Sequence, residues 1–139
     1  YYGSDYGPKD KSEVLSEWCR AILEKARMNR FEVIAKRVKY IYNSANKYGF
    51  DKKCDLDVEM TVDLIKERDN YDTIILFSGD GDLMYAIRYL KNEYNKECFV
   101  FGARGHVGRE VYDGLQEGFV KDILYAEDFE YRLNKERLF

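Results

Sequence analysis

Short apolar runs rich in β-branched and aromatic residues alternate along this chain with stretches whose apolar residues recur at helical spacing. That alternation constrains the fold more than any other feature. FEVIAKRVKYIY (31–42), DTIILF (72–77), ECFVFG (97–102) and FVKDIL (119–124) read as strands, the second of them buried. A helix is predicted from Ser12 and Glu13 to Met28, with Val14, Leu15, Trp18, Ala21, Ile22 and Ala26 on one face. Others are predicted over 56–68, through Leu83, Ala86, Ile87 and Leu90 to about Glu93, and near 109–117. Residues 43–54 read as a polar, Gly-containing loop, 102–108 as a Gly-rich turn, and 126–139 as a charged, helical tail. Strands separated by helices of about ten to fifteen residues predict an α/β domain with a mostly parallel sheet, here spanning 1–125.

Composition removes several function classes. At 139 residues there is room for one sizeable core. No apolar run approaches the roughly 20 residues of a membrane span. The amino end, YYGSDYGPKDK, is polar and charged where a secretory signal would be apolar. Cys19, Cys54 and Cys98 are odd in number and far apart, which predicts reduced thiols, no zinc site and a cytoplasmic location. A Ser-His-Asp triad would have to rest on His106 alone.

In parallel α/β sheets, chemistry collects where strand carboxyl ends meet helix amino ends. Ser78-Gly79-Asp80-Gly81-Asp82 lies at such a junction. Two glycines allow a tight turn, and two aspartates spaced i, i+2 offer hard oxygen ligands suited to Mg²⁺ or Mn²⁺. One Asp would suffice as a helix cap, so the second calls for another role. A second acidic stretch, Asp55-Leu56-Asp57-Val58-Glu59, opens the 56–68 helix, where acids also complement the helix dipole. Asp63 lies among apolar neighbours on that helix, a place for a carboxylate that faces solvent or a cation. Gly102, Gly105 and Gly108 mimic a dinucleotide loop, but their spacing is GxxGxxG rather than GxGxxG, and His106 within it is expected to face solvent. DLDVEMT (55–61) mimics a phosphatase aspartate motif without the apolar strand that chemistry requires.

The net charge of −3 means that nucleic-acid binding would need a local basic patch. Residues 36–53 supply one: Lys36, Arg37, Lys39, Lys47, Lys52 and Lys53 stand against Asp51 alone, a local excess of +5 (six minus one). Tyr40, Tyr42, Tyr48 and Phe50 interleave with these cations, a combination suited to phosphates and unpaired bases. A strand with a solvated polar face followed by an ordinary loop would have the same letters. Arg104 and Arg109 extend the candidate track.

The succession FEVIAKRVK, KKCDLDVEMTVD, YDTIILFSGDGDL, a further strand and QEGF resembles the NYN domain of the LabA-like family, within the PIN-like nuclease superfamily. The resemblance runs from Tyr1 to about Leu124. It implies a Rossmann-like three-layer α/β/α sandwich in which acidic residues bind Mg²⁺ or Mn²⁺ and hydrolyse single-stranded RNA. By position, Asp57 matches the Asp of the helix-start segment, Asp80 and Asp82 the two aspartates after the central strand, Asp63 the acid further along the helix, and Ser78 the Ser opening the turn. Asp57, Asp80 and Asp82 are then the expected metal ligands, with Asp63 orienting them or a water. Lys53 matches a family Lys near the scissile phosphate, and Glu117 stands where the family usually has Asp. Family members begin with a strand ending in Asp-Gly-x-Asn, whose Asp is a leading ligand, and this sequence is expected to start after it. The alternative is a module of the same fold that binds RNA or protein without catalysis. The tail is expected to cap the domain, or to hold a second copy or another protein.

Overall fold

The computed structural model describes residues 1–6 and 17–133, and the chain divides into two compact units, Tyr1–Met60 and Thr61–Phe139. The predicted helix start at Ser12 to Leu15 and the end of the tail lie outside the described residues.

In the first unit, β1 (Tyr2–Ser4) pairs in parallel with β2 (Ala35–Arg37), in the register Tyr2↔Ala35 to Ser4↔Arg37. The helix α1 (Glu17–Met28) buries Cys19 and Leu23, one turn apart, and half-buries Ile22 and Ala26. Trp18, expected on the inner face, is instead 70% exposed. The periodicity carried the helix but misplaced its stripe, because Cys19 and Leu23 lie on the face that packs.

The run 31–42 is not one strand. Residues 31–34 form none, and the chain then makes β2 and β3 (Lys39–Tyr42), which belong to different sheets. The switch comes at Val38, whose N–H is donated to the carbonyl of Ser4. β3 pairs antiparallel with β4 (Phe50–Lys53), so the predicted 43–54 loop is in fact a turn and a returning strand. FDKK carries no alternation of apolar and polar residues because it is exposed on both faces, so nothing in its letters announced a strand.

The hairpin is closed by side chains. Gly49 takes φ +72°, and Asn43 and Asn46 donate to the two carboxylate oxygens of Asp51 at 2.6 and 2.7 Å. Those two hydrogen bonds hold the Asp51 carboxyl below its ordinary 3.8, the Asn43 bond contributing most. Because the folded value is depressed, the hairpin's stabilisation by Asp51 is complete above that ordinary value and is lost as pH falls through the lower, folded one. The protection of hairpin amides against hydrogen exchange, relative to an unfolded chain at the same pH, is expected to fall below about pH 4 in wild type and to lack that step in Asp51→Ala. An identical step in the variant would overturn this account.

The second unit is a three-stranded parallel sheet, in the order β5 (Thr73–Leu76), β6 (Glu97–Gly102), β7 (Asp122–Tyr125). The helix α2 (Asp57–Lys66), whose first turn belongs to the first unit, precedes β5, α3 (Met84–Tyr94) follows it, α4 (Arg109–Glu117) follows β6, and α5 (Glu130–Leu133) follows β7. Parallel neighbours cannot be joined by a hairpin, so helices carry the chain back. Ile74, Leu76, Cys98, Val100 and Ile123 turn one face of the sheet inward, and Leu83, Ile87, Leu90 and Val111 complete the core. Burial pushes the Cys98 thiol up to about 12, so it serves as a neutral core group.

DTIILF is buried on one face only: Ile75 is 59% and Phe77 74% exposed. The predicted 119–124 strand begins three residues later, at Asp122. Phe119 and Val120 are buried, but their N–H groups both close on the carbonyl of Gly114 behind the left-handed Gly118 (φ +83°). They finish a helix rather than start a strand. The fold is therefore mixed α/β with a parallel sheet, as expected.

Candidate metal centre

At the carboxyl end of β5 the turn is built from its own side chains. The Ser78 hydroxyl accepts from Asp80 N–H at 3.1 Å, and the Asp80 carboxylate accepts from Asp82 N–H at 3.0 Å. Asp80 thereby caps the 3₁₀ turn Gly81–Leu83 that leads into α3. The 102–108 loop, which imitates a dinucleotide site, braces this turn. Gly108 N–H donates to Gly79 carbonyl at 2.7 Å, and a Cβ at Gly79 would fall 1.9 Å from the carbonyl oxygen of His106. His106 itself is exposed, as expected, and contributes its backbone.

On α2 the acids divide their work. Asp55 accepts from Asp57 N–H at 3.1 Å, which relieves one orphan donor at the helix start and is the first cause of its lowered pKa. Glu59 pairs with Lys36 at 2.6 Å, and the bond lowers the pKa of the acid and raises that of the lysine. Asp57 is half-buried at the start of α2. Within the second unit Asp80 and Asp82 form an exposed acidic group, each offering one carboxylate oxygen, the two atoms within 4.8 Å of each other. Asp63 is half-buried further along α2, outside that group. Glu117, at the end of α4, pairs with Arg88 at 2.7 Å and is also outside it.

The cations singled out in the sequence differ in their company. Lys36 is held by Glu59, Lys52 by Asp5 at 2.9 Å, and Arg37 lies over the ring of Tyr6 at 4.8 Å. Arg104 forks onto both oxygens of Asp128 at 2.6 and 2.8 Å. Lys39 and Lys53 stand directly across from each other on the hairpin. Arg109 is 89% exposed, with Asp113 at 3.9 Å.

The sequence reading missed Glu110. A Cβ at Gly81 would meet its carboxylate at 2.3 Å, so Glu110 lies against the aspartate turn. The available signal was an acid in the first turn of a helix entered from a Gly-rich loop.

Comparison with known proteins gives a consistent picture. The NYN domain family model matches residues 1–118. The chain is 31% identical over 81 residues to the low amplitude and bright protein LabA of Synechococcus elongatus, covering 58% of this chain and 43% of that protein. It therefore spans less than half the length of that curated relative. A solved structure of a Vibrio parahaemolyticus protein of unknown function shares the fold, with a TM-score of 0.62 and 24% identity over 91% of this chain and 67% of that one.

Proposed function

This chain belongs to the NYN domain family, and from that premise we propose that it hydrolyses phosphodiester bonds of single-stranded RNA at an acidic site taking Mg²⁺ or Mn²⁺. The observation that carries the reading is the pair Asp80 and Asp82 at the carboxyl end of β5, and Asp57 is assigned as the third ligand. Carboxylate oxygens are the donors such hard ions take. Ligand oxygens on one octahedral ion at about 2.1 Å stand about 3 to 4 Å apart, so the limit of 4.8 Å asks only for small side-chain rotations. Two like charges this close repel unless a cation lies between them.

Such an ion, when bound, supplies charge neutralisation at phosphorus and a more acidic water. The chain supplies the positioning. Asp80 is fixed by its bond from Asp82 N–H, while Ser78 holds the turn that presents both carboxylates. Asp63 is assigned the orientation of a ligand or a water. Lys39, Lys53 and Arg109 are assigned phosphate contacts, while Lys36, Arg37, Lys52 and Arg104 order their own surroundings. We take the domain to end near residue 125, with 126–139 as a capping tail. We assign the chain a cytoplasmic setting. Among the described residues no helix is long and apolar enough to cross a membrane.

The test is end-labelled single-stranded RNA with Mn²⁺ or Mg²⁺, with and without EDTA, alongside the melting temperature. Metal at a hundred times its Kd should add about 2.7 kcal/mol of stability, and cleavage should stop in EDTA. RNA binding with a metal-induced shift but no cleavage would favour the non-catalytic module. Neither shift nor cleavage would overturn the site.

A further inference from the structure

The β3–β4 hairpin has two unlike faces. The register opposes Tyr40 to Lys52 and Tyr42 to Phe50, so these four residues share one side, while Lys39, Ile41, Asp51 and Lys53 share the other. On the first side Phe50 stands edge-on between Tyr40 at 6.3 Å and Tyr42 at 6.1 Å. Tyr40 is anchored through its hydroxyl to Asp5, with the Lys52 ammonium 5.6 Å from its ring centre. These rings are braced, yet Tyr42 is 76% exposed, and Tyr48 in the turn beside them is 80% exposed with Lys47 at 5.8 Å.

Tyr42, braced by Phe50, and Tyr48, beside Lys47, offer flat aromatic faces to a partner. The charge names that partner's sign. Residues 39–53 hold four lysines and one acid, and that acid, Asp51, is occupied by Asn43 and Asn46. Lys39 and Lys53 oppose each other directly across the strands, a like-charge pairing that costs stability until an anion approaches. Flat apolar faces beside a surplus of cations suit a polyanion with unpaired flat rings.

We propose that the hairpin is a single-strand stacking platform: Tyr42 and Tyr48 each receive a base, Phe50 buttresses Tyr42, and Lys47 takes a neighbouring phosphate. This rests on the nucleic-acid reading above and deepens it, assigning strandedness to a device separate from the carboxylates. Bases held in a duplex have no open face to offer, so the platform selects unpaired strands.

The test is fluorescence anisotropy of a labelled twelve-nucleotide oligo(U) in EDTA, which removes cleavage from the measurement. Tyr42→Ala and Tyr48→Ala are each expected to weaken binding about tenfold to a hundredfold, and Tyr42→Phe to retain it. A duplex of the same length should bind the wild type more weakly than the single strand, and the alanine variants should not weaken duplex binding further. Matching far-ultraviolet circular dichroism checks that the hairpin variants fold. Wild-type affinity in both alanine variants would overturn the platform even if metal-dependent cleavage stands. Failure of wild type to bind oligo(U) would overturn it too and leave the exposed rings for a protein partner. Loss of binding in the alanine variants with no cleavage in any metal would sustain the platform and sink the nuclease reading.

Discussion

Asp80→Asn is expected to lower metal-dependent RNA cleavage by at least about a hundredfold, since changing even the groups behind a metal ligand typically costs 10- to 100-fold. The substitution separates charge from architecture. Asp80 has two tasks: it caps the 3₁₀ turn through Asp82 N–H, and it contributes an oxygen to the acidic group. Asn is about as good a cap as Asp, so the turn should survive and the melting temperature without metal should hardly move. The stabilisation by Mn²⁺ should shrink sharply. Asp80→Ala should lose both tasks, with about 1 kcal/mol of stability lost in addition. Full activity in Asp80→Asn would remove this carboxylate from the chemistry.

Gly79→Ala is expected to cost about 3 kcal/mol and abolish activity. The added Cβ would lie 1.9 Å from His106 carbonyl oxygen and 3.1 Å from Val107 Cα, both backbone atoms that cannot swing aside as a side chain does. To relieve the overlap the loops must part and the 2.7 Å bond from Gly108 N–H to Gly79 carbonyl must stretch. The aspartate turn would then lose its brace. For a chain of this size such a loss lowers the melting temperature by about 6 to 12 °C. Gly105→Ala is the control. Gly105 has φ +75° and open space around it, so alanine there suffers only the left-handed backbone, about 1 to 2 kcal/mol. Thermal unfolding of the pair decides the matter: equal losses would mean that the two loops do not touch as described.

The separation of these outcomes reflects what each kind of information carries. By itself the sequence determined the second unit closely. ECFVFG is β6 residue for residue, 109–117 is α4, and SGDGD lies at a strand-to-helix junction. Each is a local signal, because apolar alternation, helical period and glycine-aspartate turns act over a few neighbouring residues. The acidic candidates Asp57, Asp80 and Asp82 were legible for the same reason: residue type and junction position are written in the chain.

Tertiary structure alone decided the rest. Nothing local distinguishes one strand 31–42 from two strands in different sheets, since the break at Val38 depends on Ser4, more than thirty positions away. Nothing local tells that Lys36 and Lys52 are engaged while Tyr42 and Tyr48 are bare, because ion pairs and exposure depend on what the fold brings alongside. The glycines of 102–108 look like a phosphate loop until Gly79 is found against them, and Glu110 has no meaning until Gly81 is beside it. Short-range preferences select the elements, whereas partners distant in the chain are chosen by packing, which no window of neighbouring residues contains.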